Sequence, residues 1–103
     1  MAISTIKKAM NDTGWLSVNG INYRKIGGIV FVEALSLSNV GQNVTIATLP
    51  VGFRPSIRHT ESLSFPITTG GYVNFETNGN IAVINAQGVT LNNVYFSASF
   101  VAA

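Results

Sequence analysis

The stretch Leu49-Pro50-Val51-Gly52-Phe53-Arg54-Pro55 constrains this chain most, because it sets two prolines, a glycine and an aromatic residue between runs that otherwise alternate like strands. A proline lacks an N–H and has a fixed φ, so neither Pro50 nor Pro55 can sit in mid-sheet, while Gly52 permits φ values that strand residues avoid. The chain therefore turns here. Alternating apolar runs arrive on one side and leave on the other, which predicts a corner crossing between two sheets of a sandwich rather than a tight hairpin. Phe53 is expected to be buried beneath the corner, Gly52 to adopt a conformation disfavoured for other residues, and Arg54 to anchor nearby carbonyls or a carboxylate.

A chain of 103 residues holds one modest core and not two. Only 10% of its residues are charged, against about 25% in a typical soluble domain. Asparagine, serine, threonine and glycine must therefore supply most of the polar surface, which favours turns and hydrogen-bonding faces over charged helices. The net charge of +2 comes from six scattered Lys and Arg residues; no basic stripe for nucleic acid is formed. With no cysteine, neither a disulfide framework nor a thiolate metal site is available. No apolar run, Ile29 to Val32 among them, exceeds four residues, far short of a membrane span. Asn11-Asp12-Thr13 and Asn43-Val44-Thr45 match a glycosylation acceptor, but no secretion signal accompanies them, so the matches are read as chance.

Residues 1–13 read as a leader. Ile3, Ile6 and Met10 fall three and four apart, on one face of a helix of about one heptad, too short to persist alone. Two readings stand, a loose leader or the stump of a coiled-coil stem. Residues 14–103 then alternate. Trp15, Leu16 and Val18 open a first strand, Asn19-Gly20 marks a hairpin, and Gly27-Gly28 forms the loop of a second hairpin between Ile21–Ile26 and Ile29–Leu37. In that register Ile21, Tyr23, Val30, Val32 and Ala34 share one face. Asn22, Arg24, Ile29, Phe31, Glu33 and Leu35 share the other, with Arg24 and Glu33 as a diagonal pair. Both faces are substantially apolar, so Ile29, Phe31 and Leu35 require a cover, either the leader or another subunit.

Beyond a loop at Asn39–Asn43, Val44–Leu49 forms a strand that leads into the corner. Ile57–Phe65 alternates after it, a second break spans Pro66–Gly71, and Asn78-Gly79 predicts a type I′ hairpin between Tyr72–Thr77 and Asn80–Asn85. A two-residue turn pairs Phe75 with Ala82 and Val73 with Ile84, leaving Asn74, Glu76, Ile81 and Val83 on the opposite face. After a loop at Ala86–Asn93, Val94–Val101 closes the chain, with Phe96, Ala98 and Phe100 on one face and Tyr95, Ser97 and Ser99 on the other. About eight short strands at this spacing give an all-β fold, an antiparallel β-sandwich or jelly roll.

Little in the sequence points to catalysis. A glycosidase needs two carboxylates converging at a cleft; Asp12, Glu33, Glu61 and Glu76 are the entire stock and fall on separate elements, so no pair is implied. His59 is the only histidine, and no serine sits in a nucleophile elbow. His59 and Glu61, two apart on a strand, share a face and read as a hydrogen-bonded structural pair. Trp15 reads either as a core or interface anchor or as a platform for a sugar ring. No cofactor or metal is expected.

Several segments resemble a known family in their order. Gly14-Trp15-Leu16, Tyr23-Arg24-Lys25-Ile26-Gly27 leading into a strand, Thr48-Leu49-Pro50-Val51-Gly52-Phe53-Arg54-Pro55, a glycine-turned hairpin and a final aromatic strand are similar to C-terminal head domains of bacteriophage tail fibres and receptor-binding proteins. The likeness spans Trp15 to Val101; the short leader departs from it, since such heads follow a shaft. The resemblance implies a homotrimeric, non-catalytic β-sandwich knob in the virion, at the tail tip or baseplate. It would contact other tail or baseplate proteins and attach the virion to a saccharide of the bacterial envelope. The alternative is a trimerising structural module of the tail without a ligand of its own.

Sugar recognition needs planar polar groups backed by an apolar surface for the ring's C–H face. The outward face of the Tyr72–Asn85 hairpin meets this description, with Tyr72, Asn74 and Glu76 across from Ile81 and Val83 and with Arg58 on the preceding strand. It equally fits the solvated side of an edge hairpin. Trp15, His59 and Glu61 are the next candidates for sugar contacts.

Overall fold

A computed structural model describes residues 12–41, 43–63, 71–84 and 90–103. The predicted helical leader before Asp12, and most of the break predicted between Pro66 and Gly71, lie outside the described residues. Among the described residues eight strands form two antiparallel sheets: β1 (Leu16–Val18), β2 (Ile21–Ile26), β3 (Ile29–Leu37), β4 (Val44–Thr48), β5 (His59–Ser62), β6 (Tyr72–Phe75), β7 (Asn80–Ile84) and β8 (Val94–Val101). The first sheet has the order β1-β2-β3-β8 and the second β4-β7-β6-β5. This is an all-β sandwich, a meander facing a Greek key, without the strand alternation of a jelly roll.

Local turn chemistry sets the first sheet. Asn19 and Gly20, both at positive φ, close β1 onto β2 with Val18 opposite Ile21. Gly27, at φ 60°, opens the two-residue turn that sets Ile26 opposite Ile29 and Tyr23 opposite Val32. Ile21, Tyr23, Val30, Val32 and Ala34 consequently face inward and are buried, together with Phe96 and Phe100 of β8. A bulge at Leu35-Ser36, with Ser36 at φ 59°, shifts β3 against β8 so that Leu37 meets Val94.

The hairpin of the second sheet differs from its expected form. The Gly79 N–H donates to the Glu76 carbonyl at 2.9 Å and the Glu76 N–H to the Asn80 carbonyl at 2.9 Å, so the loop has three residues, with Gly79 at φ 93°. That extra residue slips the register. Phe75 pairs with Ile81 and Val73 with Val83, and all four side chains are fully buried. Ile81 and Val83 therefore belong to the core and not to the outward face, where Ala82 and Ile84 stand instead.

The corner behaves differently from expectation in two respects. It joins β4 to β5, which lie at opposite edges of the same sheet. The corner thus passes across the end of the sandwich, where Pro55 bridges to Ala102 and the Ser56 N–H donates to the Val101 carbonyl at 3.0 Å. Gly52 has φ 98°, as expected, and the Phe53 N–H donates to the Pro50 carbonyl at 3.1 Å, closing a type II turn. Phe53 is only half-buried, packed edge-on against Tyr23 at 4.9 Å with Lys25 Nζ 5.3 Å from its ring centre. Pro55 takes the fully buried place instead. Arg54 anchors as expected, its Nε donating to the Leu49 carbonyl at 2.9 Å. Because Phe53 keeps solvent on one side, Phe53→Ala should cost about 1–2 kcal/mol in urea denaturation, below the ~3–5 typical of a core phenylalanine; a loss within that core range would mean the ring is an integral part of the interior.

The strand expected over Ile57–Phe65 is shorter, His59–Ser62. Ile57 precedes it and is 76% exposed, since Pro55 holds this segment against the end of β8 rather than in the sheet. The loops expected at Asn39–Asn43 and Ala86–Asn93 contain a buried antiparallel bridge between Val40 and Leu91.

Candidate functional site

The two outer faces of the sandwich differ in chemistry. Alternation along β5, β6 and β7 sends Thr60, Tyr72, Asn74 and Ala82 outward, because their neighbours Val73, Phe75, Ile81 and Val83 fill the core. Of the residues predicted to contact sugar, Tyr72, Asn74, Glu76 and Arg58 are brought to this one face. Arg58 Nε donates to Glu76 Oε1 at 2.6 Å, and the Thr60 hydroxyl donates to Asn74 Oδ1 at 2.7 Å. The hydrogen bond and charge of Glu76 hold the Arg58 guanidinium above its ordinary value. The polar groups are thus already held by one another.

His59 is not on that face. Its Nε2 lies 2.7 Å from Glu61 Oε1, and its ring packs 6.1 Å from both Phe75 and Phe100, at the edge where β5 runs beside β8. The expected structural pair with Glu61 is therefore present. Arg58 and His59 also border a cleft of about 200 Å³ with Phe100 and Val101.

The outer face of the first sheet is apolar. Ile29, Phe31 and Leu35 point outward as expected and are exposed, joined by Trp15 next to β1 and by Tyr95 and Val101 of β8. Val101 lies on this face by the same alternation, opposite Ile29. Trp15 is 51% exposed, which removes its reading as a core anchor and leaves an interface or a platform. Arg24 does not pair with Glu33: its Nε donates to Asp12 Oδ1 at 2.9 Å and its Nη2 contacts Asp12 Oδ2, while the guanidinium lies 5.7 Å from the Trp15 ring centre. Chiefly the hydrogen bond to Asp12 raises the Arg24 pKa. Glu33 instead accepts a long 3.5 Å bond from Asn22.

One arrangement was invisible in the sequence. An open groove of about 460 Å³ crosses this face between Trp15, Phe31 and Glu33 on one side and Ser97, Ser99 and Glu61 on the other. Glu33 and Glu61 belong to different sheets. They share the groove because β5, at the edge of the second sheet, runs beside β8 of the first. Among the described residues no group of three His, Asp or Glu side chains is placed to hold a metal ion.

Comparison with models of known protein families gives no match, and comparison with curated proteins gives none either.

Proposed function

We propose that this chain is the non-catalytic receptor-binding head of a bacteriophage tail fibre or baseplate, a homotrimer that attaches the virion to a saccharide of the bacterial envelope. The observation that carries this reading is the contrast between the two outer faces. One exposes Ile29, Phe31, Leu35 and Val101, suited to contact between copies, and the other presents Tyr72, Asn74, Glu76 and Arg58, suited to polar ligands. The ordered motifs from Trp15 to Val101, the proline corner among them, supply the link to tail proteins.

A second reading, a structural module of the tail without its own ligand, is favoured by the hydrogen bonds that Asn74 and Glu76 already make with Thr60 and Arg58. A sugar would have to compete with those partners. Adsorption of labelled protein to a panel of bacterial strains, with purified envelope saccharides as competitors, separates the two readings. Under the first, Asn74→Ala and Glu76→Ala abolish adsorption while molecular mass and melting temperature stay nearly unchanged; if both variants adsorb like the parent, the hairpin face is not the site. Release of sugar from envelope polysaccharide by the protein would overturn the non-catalytic assignment.

Assembly has its own test. Light scattering should give three times the chain mass, and Phe31→Asp should reduce it to the chain mass, because a carboxylate cannot be buried in an apolar contact without a partner. A parent protein that is monomeric at micromolar concentration would rule out the trimer.

A further inference from the structure

The geometry points to a second ligand site, the groove between Trp15 and Glu61, which takes an ammonium-bearing group: a protonated amino sugar or a choline-type head. It stands apart from the saccharide contacts proposed on the hairpin face and does not depend on them. Its lining combines two aromatic rings, Trp15 and Phe31, two carboxylates, Glu33 and Glu61, and two hydroxyls, Ser97 and Ser99. Ring faces and carboxylates together attract an alkylammonium, through the quadrupole of the ring and the charge of the acid, while hydroxyls serve the neighbouring sugar oxygens.

Charge makes the choice of ligand. The chain is net positive, with six Lys and Arg residues against four acids, yet half of those acids line this groove. None of the basic residues among the described ones lines it. The Arg24 guanidinium lies 5.7 Å from the Trp15 ring centre, but its charge is balanced there by Asp12, and the ring of Phe31 carries no such neighbour among the cation–ring contacts of the described residues. Among the described residues the pairing of the acids is incomplete: the Glu33 carboxylate accepts a long bond from Asn22, and Glu61 shares one oxygen with His59. An anionic ligand would be repelled here and a neutral one would leave the carboxylates idle. The same charges bear on assembly, because burying both acids against the apolar face of a second copy would strip them of water without supplying a counter-charge. Contact between copies therefore runs through Ile29, Leu35 and Val101, which lie outside the groove, and reaches Phe31 only at the groove's rim.

Trp15 is the only tryptophan, so its fluorescence reports on the groove directly. The full chain is titrated with glucosamine, choline and N-acetylglucosamine, each at low and high salt. Glucosamine or choline should change the Trp15 emission saturably at millimolar concentration, at least roughly tenfold more tightly than N-acetylglucosamine and more weakly as salt rises. Choline alone would identify a choline ester as the source, glucosamine alone an amino sugar. Glu33→Gln and Glu61→Gln should each weaken the response severalfold with the melting temperature unchanged, and NMR titration of Trp15→Ala should show the same loss. Equal response to glucosamine and N-acetylglucosamine, no response to either ammonium ligand, or full response in Glu33→Gln and Glu61→Gln overturns the assignment. None of these outcomes bears on adsorption through the hairpin face, so failure here and failure of the attachment reading are separable.

Discussion

Phe75→Ala should destabilise the protein by about 3–5 kcal/mol, measured as a lower urea midpoint at unchanged m-value. Phe75 is fully buried at the centre of the core and meets Phe96 edge-on at 5.9 Å, Phe100 at 5.6 Å and His59 at 6.1 Å. It is thus the contact through which β6 of one sheet packs onto β8 of the other. Removing the ring forfeits its transfer free energy and leaves a cavity that neighbouring rings on rigid strands cannot fill. Phe75→Leu keeps most of the volume and should cost about 1–1.5 kcal/mol. If alanine and leucine cost the same, the core has collapsed around the site and the cavity contribution is absent.

Gly79→Ala should cost about 2–4 kcal/mol, a large loss for adding one methyl group to a turn. Two independent effects coincide. Gly79 has φ 93°, where a side chain strains the backbone, and a Cβ there would overlap the Leu49 carbonyl oxygen and stand 2.7 Å from Arg54 Nε. Neither neighbour can yield cheaply. The Leu49 N–H donates to the Gly79 carbonyl at 2.8 Å, and Arg54 Nε donates to the Leu49 carbonyl at 2.9 Å, so the hairpin tip and the proline corner are locked together. Gly14 provides the internal control. It also has positive φ, 72°, but nothing lies within 4 Å of its Cβ position, so Gly14→Ala should cost only the backbone strain, about 1 kcal/mol. Equal losses at the two glycines would show that packing of the tip against the corner contributes nothing.

The sequence by itself determined what is local. Two-residue turns at Asn19-Gly20 and Gly27-Gly28 fix their own geometry, and with it the register of β1, β2 and β3, because each turn dihedral is set by the residues within it. Alternation then put Phe96 and Phe100 on one face of β8, which the structure shows to be buried, and Ile29, Phe31 and Leu35 on the outer face, since side chains in a strand alternate with period two. The polar grouping of Arg58, Tyr72, Asn74 and Glu76 was legible for the same reason, and so was the His59–Glu61 pair.

Contacts between distant segments were decided only in the tertiary structure. Asn78-Gly79 suits a two-residue turn as well as a three-residue one; Leu49 and Arg54, about 25–30 residues earlier and outside any local rule, meet the loop that forms, and the resulting register moved Ile81 and Val83 into the core. The corner reads as a break in sequence, but which edges it joins depends on where β7 and β6 insert between β4 and β5. Arg24 met Asp12 rather than Glu33 because the chain entering β1 returns beside β2, where the Thr13 N–H donates to the Lys25 carbonyl at 3.0 Å. Glu33 and Glu61 came to share one groove across two sheets because β5 runs beside β8. Periodicity tells which way a side chain points; only the packing of one sheet on another decides what it meets there.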